Sequence, residues 1–299
     1  MKSNKNDWAL VLSGGGAKGL AHIGVLKALE KAKFPKPQLI VGTSMGSIIG
    51  GLFACGKTPA ELSHFAVKEF NIDDYLDSSV FKLNGPVKKV IQTGQALASL
   101  ATRPGMDTGQ RLLNLLEDLS GGKKIEETGI PFRCNAMDLL SGKEVVFSSG
   151  SIARAMRASM SFPFFFEPFI EGEMCLVDGG LLDNMPVAIA RNEGFRRVLA
   201  VNVFRFVLQG AKDFKHAPRV IFRSIECALN TSEERKIPAD LTLNVTDDAT
   251  PFSFSKQKEL IDLGERVVNN NIETLESFFS PRFSKFKKPK VCGIEGMIS

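Results

Sequence analysis

Short apolar runs alternate with amphipathic stretches along the chain. Residues 8–12 (Trp-Ala-Leu-Val-Leu) and 39–41 (Leu-Ile-Val) read as buried strands, and each leads straight into a glycine-bearing turn. Between them, Leu20, Ile23, Leu26, Ala28 and Leu29 recur at three- and four-residue spacing, which predicts a helix over 20–33. Residues 47–52 continue the second turn into another helix. Further helical patterns occupy 59–69, 87–101 and 108–119; Asp107 or Thr108 suits the start of the last and Gly121-Gly122 its end. Strands are expected at 132–137, 144–147, 176–177, 198–203 and 240–245, with helices at 151–159 and 186–192. This alternation predicts an α/β fold, a mostly parallel central sheet sandwiched by helices, with a ligand crevice at the strand carboxyl ends. The stretch 57–128 forms a helical excursion after the second turn's helix, either a lid or a fixed layer.

Two glycine-rich turns carry the candidate chemistry. In Gly42-Thr43-Ser44-Met45-Gly46, a strand, a sharp bend and a helix would put the Ser44 hydroxyl at the tip. Gly42 and Gly46 leave room for neighbouring strand and helix atoms at so tight a bend. Ser44 also falls at a helix N-terminus, where free N–H groups favour a developing negative charge. The other turn, Ser13-Gly14-Gly15-Gly16-Ala17-Lys18-Gly19, makes a backbone nest for an anion. Gly14, Gly16 and Gly19 satisfy a dinucleotide fingerprint, yet the second strand is followed by Gly-Thr-Ser and no ribose-binding acid. The P-loop reading lacks its Gly-Lys-Ser/Thr. The nest therefore reads as half of an oxyanion hole, with the Met45 N–H as the other donor.

A serine nucleophile needs a base, and the chain has three histidines. His22 lies inside the first helix and reads as a packed residue; His64 sits on a surface helix. His216 falls in a polar, basic stretch; it fits the order Ser…Asp…His and stays a second candidate. The stronger one is Asp178 in Leu176-Val177-Asp178-Gly179-Gly180, a carboxylate at a strand end that close neighbours can approach. Alone, the same local sequence also suits an Asx-type turn.

Taken together, Gly-Gly-Gly-Ala-Lys-Gly, Gly-Thr-Ser-Met-Gly and Asp-Gly-Gly, in this order and spacing, strongly resemble the patatin-like phospholipase family, acyl hydrolases with a Ser-Asp dyad. Residues 17–26 look like the family's first helix. Ala158-Ser159 leading to Pro163, Phe166 and Pro168, and Asp178 through Pro186, are similar to the segments around its aspartate. The resemblance covers about residues 7–205. It implies Ser44 as nucleophile, Asp178 as base, Gly14, Gly15 and Gly16 as oxyanion donors, and neither metal nor cofactor. Lys18 occupies the family's basic position in the glycine loop.

Composition adds compartment and substrate. Five cysteines, odd in number and without a CxxC pair, argue for reduced thiols and against a disulfide framework or zinc site. The polar first seven residues, with no stretch of about 20 apolar residues, predict a cytoplasmic protein, soluble or peripheral at the inner face of a membrane. Twenty-three phenylalanines stand against one tyrosine and one tryptophan. Five of them crowd residues 161–170, where Phe162, Phe164, Phe165 and Phe166 suit either core packing or an acyl-chain groove. The net charge of +5 comes largely from the C-terminal stretch, where Phe278, Phe279, Phe283 and Phe286 interleave with Arg282, Lys285, Lys287, Lys288 and Lys290. Such a segment suits an anionic membrane surface; no nucleic-acid motif accompanies it. The expected organisation is an acyl hydrolase domain over 1–275 and a basic, aromatic tail over 276–299. The expected activity is hydrolysis of phospholipid or lysophospholipid esters through an acyl-Ser44 intermediate. Acyl transfer by the same dyad, or lipid binding without turnover, are the alternatives. Oligomeric state is not encoded in any of these features.

Overall fold

The computed structural model describes residues 7–76, 104–204, 210, 214, 220, 223–228, 237–245, 254–280, 289–294 and 296–298. The expected helix over 87–101, His216 and the tail residues 281–288 lie outside the described residues.

The strands are β1 (Ala9–Leu12), β2 (Leu39–Gly42), β3 (Gly105–Asp107), β4 (Phe132–Asp138), β5 (Glu144–Phe147), β6 (Phe164–Phe166), β7 (Phe169–Glu171), β8 (Met174–Asp178), β9 (Val198–Asn202), β10 (Leu241–Asn244), β11 (Lys290–Gly293) and β12 (Gly296–Ile298). The main sheet has the order β12-β11-β10-β9-β1-β2-β4-β8-β7, with β5 also paired to β4; β3 and β6 form a separate parallel pair. From β11 to β4 the pairing is parallel, and β5, β7, β8 and β12 are antiparallel additions at its two ends. The helices are α1 (Ala21–Lys31), α2 (Met45–Ala54), α3 (Pro59–His64), α4 (Gln110–Ser120), α5 (Ile152–Ser159), α6 (Val187–Asn192), α7 (Gln257–Asn269) and α8 (Ile272–Phe279). Alternate residues of the central strands face opposite layers. Leu10, Leu12, Ile40, Leu199 and Leu243 pack with α1, α2, α5 and α7, whereas Ala9, Val11, Val41 and Ala200 pack with α6. Burial on both faces is why β1 and β2 read as unbroken apolar runs rather than alternating ones.

The register at β4 decides where the site forms. Cys134 pairs with Gly42 and also with Phe147, while Ala136 pairs with Val145 and also with Asp178. A strand residue has one partner per edge, so β5 holds one edge of β4 and β2 and β8 share the other, end to end. The parallel β2 and the antiparallel β8 thus run towards each other. Ser44 follows the end of one and Asp178 ends the other.

Several expectations need correction. The helix over 59–69 is split: α3 starts at a capping box between Thr58 and Glu61 and gives way to a wider π turn at Phe65–Glu69. Residues 105–107 form a strand, and α4 is capped at both ends by glycines, Gly109 and Gly121, each at φ +66°. The boundary drawn at 275/276 falls inside α8. Phe278 and Phe279, expected on an exposed tail, are buried edge-on against Trp8 at ring-centroid distances of 6.3 and 4.9 Å. Beyond them, β11 and β12 extend the main sheet. The helix α7 was not anticipated. It crosses α1 with backbones in direct contact: a Cβ on Gly24 would lie 1.9 Å from the Ile261 carbonyl oxygen, and one on Gly264 2.0 Å from that of Ala21.

Candidate active site

The bend between β2 and α2 has no room for larger residues. A Cβ on Gly42 would meet the Gly46 carbonyl at 2.5 Å, and one on Gly46 would meet the Leu12 carbonyl at 2.2 Å. Between them Ser44 adopts φ +52°, ψ −122°, a conformation that costs a side-chain-bearing residue about 1–3 kcal/mol. Its N–H donates to the Ser159 hydroxyl at 2.9 Å, its carbonyl accepts from the Ser47 hydroxyl at 2.6 Å, and α2 begins at the next residue. The strained turn is held from both sides.

Asp178 comes from the opposite direction. It is buried, and its carboxylate accepts hydrogen bonds from the Ser44 hydroxyl and, at 2.7 Å, from the Gly180 N–H. The Asx-type turn and the contact with the serine coexist, so the two local readings of this aspartate do not compete. Burial pushes its pKa up to about 6; the Ser44 and Gly180 hydrogen bonds oppose the rise without cancelling it.

The glycine loop lies against this pair. A Cβ on Gly14 would fall 3.1 Å from the Ser44 Cβ. The Gly14 N–H, however, donates to the Asn184 carbonyl at 3.2 Å, which removes it from the expected set of oxyanion donors. The N–H groups of Gly15, Gly16 and Met45 have no hydrogen-bond acceptor among the described residues, and all three residues line the cavity beside Ser44. Lys18 is buried.

Partners distant in sequence hold the site. The Thr43 hydroxyl donates to the Asn135 side-chain oxygen at 2.8 Å, and the Asn135 amide donates to the Asp183 carbonyl at 2.9 Å. One buried amide on β4 thereby ties the Ser44 turn to the segment after Asp178. Asn135 carries no local sequence signal. Ser159 and Asn184 do, since they stand in the stretches that resemble the family's segments before and after the aspartate.

Two histidines have no part in this arrangement. His22 is fully buried, and its Nε2–H donates to the Ser13 carbonyl at 2.8 Å, leaving Nδ1 without a partner. Burial lowers its pKa to about 4, outweighing the Ser13 hydrogen bond, so it is neutral at physiological pH. His64 is exposed and lies 3.5 Å from Glu69.

A cavity of about 510 Å³ opens from Ser44 and Asp178. Apart from these two residues, Asn184 and Asp73, its described lining is apolar or glycine. The helical excursion supplies much of the wall, including Leu62, Phe65, Phe70, Leu112 and Leu116. Phe162, Phe165 and Phe166 supply another part. Phe164 differs from the expectation: it opens β6 at φ +79°, pairs with Gly105 and packs edge-on against Phe165 at 5.6 Å, outside the lining. No group of three or more His, Cys, Asp or Glu among the described residues is placed to hold a metal ion. No described helix is long and apolar enough to cross a membrane.

Among known proteins, the chain is 33% identical over 196 residues to lysophospholipase NTE1 of Debaryomyces hansenii, covering 65% of this chain and 12% of that one. It is 34% identical over 200 residues to patatin-like phospholipase domain-containing protein 6 of Homo sapiens (66% and 13%) and over 182 residues to an NTE family protein of Mycobacterium tuberculosis (60% and 44%). The match thus spans less than half the length of each of these relatives. Among solved structures, VipD from Legionella pneumophila superposes with a TM-score of 0.47 at 17% identity, covering 88% of this chain and 66% of that one. The patatin-like phospholipase model matches residues 10–191, more than half of the 299, a range that includes the glycine loop, the Ser44 turn and Asp178. The chain belongs to the patatin-like phospholipase family.

Proposed function

We propose that the protein hydrolyses acyl esters of lipids, phospholipids or lysophospholipids, with Ser44 as nucleophile and Asp178 as general base. The observation that carries this reading is the Ser44–Asp178 hydrogen bond at the head of an apolar cavity. Asp178 takes the hydroxyl proton as the Ser44 Oγ attacks the ester carbonyl. The carbonyl oxygen becomes an oxyanion facing the N–H groups of Gly15, Gly16 and Met45 at the start of α2. The intermediate collapses with cleavage of the bond to the alcohol, which leaves with the proton returned by Asp178. Water, deprotonated by the same carboxylate, then attacks acyl-Ser44; the bond to Oγ breaks, Asp178 returns the proton to Oγ, and the fatty acid is released. The acyl chain occupies the cavity throughout. Peripheral contact with an anionic inner-face membrane belongs to the same proposal and rests on sequence alone: no acidic residue occurs between Glu276 and Glu295.

A fluorophosphonate probe, read by intact mass and peptide mapping, tests the assignment alongside ester hydrolysis. One adduct on Ser44 is expected, with hydrolysis reduced about 10⁴-fold or more in Ser44→Ala and Asp178→Asn. No adduct on the wild type, with or without lysophospholipid micelles, would overturn it.

A further inference from the structure

Arg157 is a cation sealed in the interior at 2% exposure, with no role in the chemistry above. Its guanidinium donates to four oxygens on two separate segments. Nη2 bonds the Thr108 carbonyl at 2.6 Å and the Glu167 carbonyl at 3.3 Å, Nε the Gly109 carbonyl at 3.3 Å, and Nη1 the Ser161 hydroxyl at 2.5 Å. Its carbon centre lies 5.2 Å from the Phe166 ring centroid and 5.8 Å from that of Phe169. The neighbouring Asp107 and Glu167 carboxylates offset its charge.

Each segment in this grip leads to the cavity. Thr108 and Gly109 precede α4, whose Leu112, Leu115 and Leu116 line one wall; Ser161 and Glu167 bracket Phe162, Phe165 and Phe166, which line another. The two segments also meet in the β3–β6 pair and through the Glu167 N–H to the Asp107 carbonyl, 2.8 Å. Outside that ladder the wall segment is held at its ends, by the Asp178 N–H on the Ser161 carbonyl at 3.0 Å and by the β7–β8 pairing. A planar fork with five donors is the side chain that fixes both sides at once; a lysine has neither the reach nor the plane.

We infer that Arg157 is a positioning residue that sets the width of the cavity, and through it the preference for long acyl chains, by clamping the Phe162–Phe166 wall to the loop before α4. The inference rests on the proposed acyl hydrolase reading. It makes a demand that a role in general stability does not: loosening the clamp should penalise long acyl chains and spare short ones, which hardly touch the wall.

The test compares wild type, Arg157→Lys and Ser161→Ala on p-nitrophenyl butyrate and p-nitrophenyl palmitate. The expected result for Arg157→Lys is a kcat/KM on palmitate about tenfold or more lower, mainly through KM, with the butyrate value changed by less than about threefold. Ser161→Ala removes one acceptor of the fork without touching a lining side chain, and should shift the ratio the same way by about threefold. Equal losses on both esters in folded protein, or an unchanged ratio, would overturn the inference. Should Arg157→Lys fail to fold, the Ser161→Ala ratio decides. If wild-type protein turns over neither ester, the acyl hydrolase reading fails on its own. Binding of octanoate against a sixteen-carbon fatty acid, measured in wild type and variants, then decides the clamp by the same ratio.

Discussion

The proposed role of Asp178 as general base makes the activity pH-dependent, and the sign can be worked out from its surroundings. With the carboxyl raised to about 6 by burial, kcat/KM should climb as pH rises through that value and level off by about pH 8, because only the ionised form accepts the serine proton. The same shift acts on stability in the opposite sense. The folded chain holds this proton more tightly than the unfolded chain, whose carboxyl titrates near 3.8. Its favourable contribution is therefore complete below about pH 4 and is lost as pH rises through 6. Ionised Asp178 costs on the order of 3 kcal/mol at neutral pH. Asp178→Asn keeps an acceptor for the Gly180 N–H, so its melting temperature should exceed the wild type's at pH 7.5, with the gap closing towards pH 4. A thermal melt series across that range checks both slope and sign. At this scale, legibility follows locality. Ser44 and Asp178 sit inside short motifs whose chemistry can be read in place. The amide of Asn135 acts on a residue 92 positions away, and nothing near it in sequence says so. Ser159 stands in a recognisable stretch, yet its bond to the Ser44 N–H, 115 positions away, is not written there. Gly14 shows the converse, since its place in the motif is plain but its N–H is engaged by a carbonyl from 170 residues on.

The strands that lead into the two glycine turns are legible because each is an apolar run that meets a glycine at its end or two residues beyond it. The three-residue strands β3 and β6 have no such signature, being defined by pairing with each other across a long gap in sequence. For α7 the signal exists: Leu260, Ile261, Leu263, Val267 and Val268 recur at helical spacing and are all buried. What no periodicity conveys is that this helix crosses α1 at Gly24 and Gly264, with a Lys27–Glu265 ion pair of 2.6 Å beside the crossing. Because backbone carbonyls stand where either new methyl would go, Gly24→Ala and Gly264→Ala should each force the helices apart. Each should cost about 2 kcal/mol and lower the melting temperature by about 5 °C. The double variant should fall short of the sum, since one separation relieves both clashes. Calorimetry on the three variants decides this; full additivity would mean the helices yield independently.

Across the whole molecule, the family match and the folded unit differ in extent. Residues 10–191 contain Ser44 and Asp178, yet β1, which bears the glycine loop, has β9 as its other neighbour, and Trp8 is closed in by Phe278 and Phe279. The second half of the sheet is thus a requirement of the site's geometry, although its sequence holds no motif to announce it. Phe278 and Phe279, read as part of a tail, are core because their partner is the first buried side chain of β1's segment. The cavity has a consequence of its own at this scale. About 510 Å³ lies within the fold without being filled by the chain's own atoms, and unfolding abolishes that space. Where its apolar lining excludes water, folded protein plus solvent takes up more volume than the unfolded mixture. Hydrostatic pressure would then unfold the protein more readily than a void-poor protein of equal thermal stability. A sixteen-carbon fatty acid seated in the cavity should raise the midpoint pressure, and high-pressure fluorescence of Trp8 would read both effects.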